Sequence, residues 1–265
     1  MVGQIVQSDA QRRRAEFSDP SETPARLEAP EVSDATVQAL VADMDRTGVA
    51  VLPDFVSPAD LRDLQEFVER AVEEAGGEYV GFNGRDAVAG TLLAALADSP
   101  RFQSFIRRVY EGGARRPAPS QSIYQVLRCL KGETGARQAF IFHFDSYVVT
   151  MLLPILIPST GKQGHLLVAP NLRKERPLYV INLVDKILLD NKLTQALLRR
   201  AHDWGLWKFK KVKMVPGNLY LFWGYRSLHT NEACDVENIR STALYHFGDP
   251  HADSPLRQKM GRAVV

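Results

Sequence analysis

From Ser122 onward the chain breaks into short apolar runs separated by Gly and Pro. These are SIYQVLRCL (122–130), ARQAFIFHFDSY (136–147), VVTMLLPILI (148–157), GHLLVAP (164–170), KVKMVP, GNLYLFWG, SLHTN and IRSTALYHFG. Runs this short, rich in β-branched and aromatic residues and bounded by turn formers, read as strands of a β sandwich or barrel. The chain before them has helical texture. Ser33 caps a stripe of Val37, Leu40, Val41 and Met44 that Gly48 stops, and AVLP (50–53) follows as a short strand. Ser57 and Pro58 open a second helix carrying Leu61, Leu64, Phe67, Val68 and Val72, ended by Gly76–Gly77. Two shorter helices are expected at Val88–Leu96 and at Pro100–Tyr110, the latter capped by Ser99. A helical interlude from about Val180 to Trp204 places Leu183, Ile187, Leu188, Leu193, Leu197 and Leu198 in helical spacing. Helices first and many strands later predict a mainly β jelly roll or barrel with an N-terminal helical layer packed outside it.

Residues 1–30 are polar, carry Pro20, Pro24 and Pro30 and an Arg12–Arg14 run, and read as a disordered or mobile tail. Residues 31–265 suffice for a single β domain. A formal net charge of +2 gives no reason to expect nucleic acid or a membrane surface as partner. Cys129 and Cys234 make neither a disulfide framework nor a Cys-rich zinc site, and fit a reducing, cytoplasmic setting. No run of apolar residues is long enough to span a bilayer, and the first residues lack the apolar core of a signal peptide.

FIFHFDSYVV (140–149) puts two ionisable side chains into the most apolar part of the chain. On a strand, Phe140, Phe142, Phe144 and Val148 share one face, and Ile141, His143, Asp145, Tyr147 and Val149 share the other. A buried carboxylate needs a partner. His143 and Asp145 pointing the same way suit a divalent metal, or a His–Asp hydrogen bond that ties down the strand. The second His-x-Asp pair, His251–Asp253, lies in a polar C-terminal stretch and reads as solvated. Among candidates for a third ligand, His202 reads as a helix-end residue, His165 as a loop residue and His246 as a core histidine. His229 lies 84 residues after Asp145, where an apolar strand turns into a shorter one. Eleven residues later comes Arg240, and by alternation Arg240, Thr242, Leu244 and His246 share a face. An Arg and a Thr side by side can clamp a carboxylate. Tyr124 and Arg128, on one face of the strand before FHFD, are further candidates for ligand contact. Ile141, Leu221 and Trp223 would suit apolar walls, though each reads more simply as core.

His143-x-Asp145, then His229, then Arg240 with Thr242 two further, resemble the Fe(II)- and 2-oxoglutarate-dependent oxygenases. The opening VQALVADMDRTGVAVLPDFVSPADLRDLQEFVERAV is similar to the start of the phytanoyl-CoA dioxygenase branch, and the resemblance spans roughly residues 36–250. It implies a double-stranded β-helix (jelly roll, cupin-like) with His143, Asp145 and His229 as iron ligands. It also implies 2-oxoglutarate as cosubstrate, with its distal carboxylate on Arg240 assisted by Thr242, and O2 as oxidant. The implied reaction is hydroxylation of an unactivated C–H bond in a small molecule, with no catalytic residue beyond the metal ligands. Halogenation on the same scaffold normally needs Gly or Ala at the carboxylate position, so Asp145 argues against it. The alternative from another class is a cupin-like metal- or ligand-binding protein without redox activity. The interlude at 180–204 matches no family motif, and homo-oligomerisation is left open.

Overall fold

A computed structural model describes residues 29–262. The tail expected over 1–30, with its arginine run, lies outside the described residues apart from its last two positions.

The helical layer follows its caps. Helix α1 (Asp34–Thr47) starts where the Ser33 hydroxyl accepts from the Thr36 amide at 3.1 Å, and it ends at Gly48. Strand β1 (Ala50–Leu52) leads to α2 (Pro58–Glu74), capped by Ser57, whose hydroxyl accepts from the Asp60 amide at 3.1 Å. Strand β2 (Val80–Asn83) was not expected, because its only strong apolar residues flank a glycine. The helix expected from Val88 begins later: residues 86–88 form a single 3-10 turn, and Thr91 caps α3 (Leu92–Asp98). Helix α4 (Pro100–Ala114) begins as expected, although the Ser99 side chain makes no capping bond.

Strand β3 (Tyr124–Leu130) is followed by a short helix, α5 (Gly132–Ala136). The strand expected over 136–147 does not form as a continuous element. After α5 the chain turns, Phe140 takes a positive φ of 54°, and only His143 makes a strand-like bridge. Strands β4 (Val149–Leu156) and β5 (Leu166–Ala169) precede the interlude, which is two helices, α6 (Tyr179–Asp190) and α7 (Lys192–Asp203). Asn191 separates them and caps α7 by accepting from the Thr194 amide. Strands β6 (Lys210–Val212), β7 (Leu219–Phe222), β8 (Leu228–Asn231) and β9 (Arg240–Phe247) and helix α8 (Pro255–Arg262) complete the described chain.

The strands form two antiparallel sheets, a larger one ordered β1-β7-β4-β9-β3-β2 and a smaller one ordered β6-β5-β8. Alternation gives the larger sheet two distinct faces. Leu127, Cys129, Met151, Leu153, Ile155, Leu219, Leu221, Ala243, Tyr245 and Phe247 face the helical layer and join Met44, Leu64, Phe102 and Phe105 in the main core. Each such large side chain contributes on the order of 1.5–3 kcal/mol by leaving water. Leu221 and Trp223 belong to this core, as their sequence suggests, whereas Ile141 is exposed. On the opposite face Leu152, Tyr220 and Phe222 meet Leu166, Val168 and Val212 of the smaller sheet. Those apolar contacts close one part of the space between the sheets. The remainder is lined by Tyr124, Arg128, Thr150, Arg240, Thr242 and His246, which the strand register puts on the same inner face.

Candidate metal centre

The backbones of His143 and His229 lie directly opposite one another. Each amide donates to the other's carbonyl at 3.0 Å, and this bridge adds residue 143 to the edge of the smaller sheet beside β8. Both side chains therefore point inward, with ring centroids 4.3 Å apart. Asp145 lies two residues further along, its amide held by the Gly224 carbonyl at 3.0 Å, so its carboxylate enters the same space. One ligand atom from each of His143, Asp145 and His229 falls within 4.8 Å of the others. The His143 Nε2–Asp145 Oδ1 separation is 3.7 Å and that of His229 Nε2–Asp145 Oδ2 is 3.5 Å. These gaps are too wide for good hydrogen bonds. They suit atoms sharing one ion, since bonds of about 2.0–2.2 Å leave adjacent ligands roughly 3 Å or more apart.

Hydrogen bonding fixes which ring nitrogen each histidine offers. Nδ1 of His143 lies 2.9 Å from the Ile141 carbonyl, and Nδ1 of His229 lies 3.0 Å from the Ser227 carbonyl. A carbonyl only accepts, so each Nδ1 carries the proton and each Nε2 presents its lone pair inward. Burial and the neighbouring His229 push the His143 imidazole down to about 4, which keeps it neutral and able to ligate.

Asp145 is supported by two residues that sequence reading passed over or placed in the core. Thr150 donates its hydroxyl to Asp145 Oδ2 at 2.5 Å. The Thr150 oxygen also lies 3.1 Å from His246 Nδ1. Because the single hydroxyl proton goes to Asp145, His246 must donate to Thr150, giving a His246–Thr150–Asp145 chain. Burial opposes ionisation of Asp145, but His229, His246, His143 and the Thr150 hydroxyl together hold its carboxyl well below the usual range. Gly224 makes room for this arrangement: a Cβ there would collide with the Thr150 hydroxyl and with Asp145 Oδ2. A lone threonine in the otherwise apolar run VVTMLLP was the available signal for Thr150.

Arg240 is buried, and its one hydrogen bond among the described residues runs from Nε to the Gly164 carbonyl at 2.8 Å. Its stem packs on Gly164, which has a φ of +66° and where a Cβ would come within 2.7 Å of Arg240 Cδ. Burial pushes the guanidinium down to about 10, so it remains cationic at neutral pH with no carboxylate paired to it among the described residues. Next to it on the inner face, the buried Thr242 Oγ1 has no hydrogen-bond partner. Arg128 is registered opposite Thr242, one inner position nearer the histidines, and has no hydrogen-bond or ion-pair partner among the described residues. A buried cation and an orphaned hydroxyl side by side are the donor set a carboxylate requires. Tyr124 and Tyr147 stack at 5.7 Å, and Tyr147 stacks on His246 at 5.3 Å, forming an aromatic shelf.

The other histidines have structural partners. His165, expected in a loop, is buried, with Nδ1 accepting from the Met214 amide and Nε2 bonding Gln163. His251, expected to be solvated, is buried against the Tyr225 hydroxyl at 2.9 Å. His202 lies in the last turn of α7, as its sequence position suggests.

Fold and site together define a double-stranded β-helix carrying two imidazoles and one carboxylate on one inner face, a donor set suited to non-haem Fe(II). No family model matches the chain, and no curated protein matches it in sequence. Among solved structures it is similar to HygX from Streptomyces hygroscopicus, solved with nickel and 2-oxoglutarate bound. Identity is 12% and the TM-score 0.54, over 79% of this chain and 86% of that one. It is also similar to a prolyl hydroxylase from Trichoplax adhaerens in complex with a hypoxia inducible factor peptide fragment. There identity is 13% and the TM-score 0.51, over 82% and 90% of the two chains. At these identities the likeness establishes the fold.

Proposed function

We propose that this chain is an Fe(II)- and 2-oxoglutarate-dependent dioxygenase that hydroxylates an unactivated C–H bond in a small molecule, residues 31–265 forming one oxygenase domain. The observation that carries this reading is the pairing of two half-built sites on one inner surface. One is the His143–Asp145–His229 cluster; the other is the unpaired Arg240 guanidinium beside the unbonded Thr242 hydroxyl. The structural neighbours support it, since one is a 2-oxoglutarate complex and another is named a hydroxylase.

When bound, iron supplies the O2 chemistry, coupling decarboxylation of 2-oxoglutarate to succinate and CO2 with oxidation of the substrate. The protein's part is placement. His143 and His229 would hold the metal through Nε2 and Asp145 through its carboxylate, which Thr150 and His246 keep ionised and oriented. Arg240 and Thr242 would receive the distal carboxylate of the cosubstrate, and Arg128 adds positive charge toward its other end. Leu152, Phe222 and Val168 keep water out of the closed side of the space. Asp145 occupies the position a halogenase leaves open for chloride, which favours hydroxylation. The Arg240–Thr242 cradle favours a cosubstrate and so disfavours a cupin-like binding protein without redox activity.

The order α1, Gly48, the VLPDF strand and the Ser57-capped α2 supports a place near the phytanoyl-CoA dioxygenase branch. Cys129 and Cys234, both buried free thiols, support a cytoplasmic setting. The deciding experiment is an anaerobic titration of 2-oxoglutarate into the Fe(II)-loaded protein, following the metal-to-ligand absorption band. Its appearance supports the oxygenase reading; its absence replaces that reading with the binding-protein one.

A further inference from the structure

The metal centre makes no use of the most conspicuous surface of the molecule. Seventeen large hydrophobic residues are exposed among the described residues, and eleven of them lie between Leu178 and Trp207. On α6, Val180, Ile181, Val184, Ile187 and Leu188 recur at helical spacing and face outward, Ile187 being 62% exposed. The polar side of this helix faces the protein instead. Arg173 bonds Asn182 and Asp185, and the Lys186 amine donates to the Ser146 hydroxyl at 2.6 Å. On α7, Leu193 (70% exposed) and Leu197 follow the same periodicity, with its C-cap Trp204 and then Leu206 (75% exposed) and Trp207 just beyond its end. A helix pair that turns its apolar stripes to solvent needs a partner there.

Charge narrows the choice of partner. Residues 178–213 hold eight Lys and Arg against three Asp, in a chain whose formal charge is only +2. The chain-wide balance thus conceals a local excess of positive charge, with Lys192, Arg199, Arg200, Lys208 and Lys210 all exposed. A second copy of the chain would bring these same cations together across a two-fold axis, where they repel. A nucleic acid would use the cations and leave the apolar stripes wet. An anionic bilayer surface takes both, since basic flanks with Leu and Trp on the other face are what an in-plane amphipathic helix requires. No helix among the described residues is long and apolar enough to cross a membrane, so the contact is interfacial.

We propose that the α6–α7 hairpin docks the protein onto an anionic lipid surface. The apolar stripes enter the headgroup–acyl boundary, Trp204 and Trp207 sit at headgroup level, and the flanking lysines and arginines meet lipid phosphates. The hairpin is tied to the metal-bearing segment by Gln195 on the Phe142 backbone and by Lys186 on Ser146. Docking therefore holds the metal centre one layer behind the membrane face.

The test is co-sedimentation of the full chain with phosphatidylcholine vesicles, with and without phosphatidylglycerol, alongside tryptophan emission. The expected result is roughly tenfold stronger binding to the anionic vesicles, weakened by salt, with a blue shift in emission. Leu197→Asp with Leu206→Asp, and separately Lys192→Glu with Lys208→Glu, should each lose most of that binding. Both should retain far-UV circular dichroism and Fe(II) binding. Absence of binding to anionic vesicles overturns the proposal, as does binding that both variants retain. So does a dimer seen by light scattering that the Leu197→Asp, Leu206→Asp variant dissolves, or DNA binding in its place.

Discussion

Gln195 of α7 closes two hydrogen bonds onto one residue of the segment that carries His143: it accepts from the Phe142 amide at 2.9 Å and donates to the Phe142 carbonyl at 2.8 Å. Phe142 precedes His143, and on this side no strand among the described residues pairs with it. A helix side chain thus does for the segment what a strand would otherwise do. Gln195→Leu should leave both backbone groups without partners, at a cost of about 1–3 kcal/mol. Thermal unfolding should report that loss, and Fe(II) affinity should fall with it because His143 is positioned through this backbone.

His143→Ala and His229→Ala should each lose stoichiometric Fe(II) under anaerobic conditions while remaining folded. Metal analysis after gel filtration, with circular dichroism as the fold control, decides it. Undiminished iron in either variant removes that residue from the ligand set.

Arg240→Ala should weaken 2-oxoglutarate binding by roughly tenfold to a few hundredfold, the range set by charge-assisted hydrogen bonds of about 1.5–3 kcal/mol. Iron binding should be nearly unchanged, and Arg240→Lys should recover only part of the loss because a point charge does not reproduce the fork. Titration by absorbance of the Fe(II) protein separates the two effects.

Gly224→Ala tests the support of Asp145. The added methyl would displace the Thr150 hydroxyl or the carboxylate itself, so Fe(II) affinity should drop at least several-fold with secondary structure intact. If iron binds as in the wild type, the Thr150–Asp145 contact does not orient the ligand.

The apoprotein should also lose stability on acidification in a way traceable to His143. Its folded pKa of about 4 lies below its unfolded value of 6.5. Between these values the unfolded chain binds a proton that the folded one refuses, so stability falls as pH drops from 6.5 towards 4 and then levels off. The side chain is 36% exposed, and solvent screening limits the effect to roughly 1–2 kcal/mol. Denaturant unfolding of wild type and His143→Ala across this range should show a shallower pH slope in the variant.

Much of this was legible in the sequence. Caps and apolar periodicity fixed α1, α2, β3, β4 and β9 because those signals act within a few residues. The convergence of His143, Asp145 and His229 was legible because His143 and Asp145 stand out in an apolar run. Less visible were the roles of His246 and Gly224, which depend on strand register between residues far apart in sequence, and of Thr150, whose reach to Asp145 depends on the turn between them. The segment 136–147 looked like a strand because its apolar alternation is real, yet α5 and the turn at Phe140 leave it bridged only at His143. In the interlude, helical spacing was evident, but spacing alone does not say which face is buried. Asn182, Asp185 and Lys186 face inward there only because Arg173 and Ser146 await them.

The mutual bridge of His143 and His229 has a mechanical consequence. The two residues stand 86 apart in the chain, and an ion on their Nε2 atoms would act as a reversible clasp on everything between them, the α6–α7 hairpin included. Metal bound only by the folded form would add its binding free energy to stability. Iron held there would be a fastener as well as a reagent. The same ion would tie the hairpin's flanking strands to the sheet that carries Arg240 and Thr242.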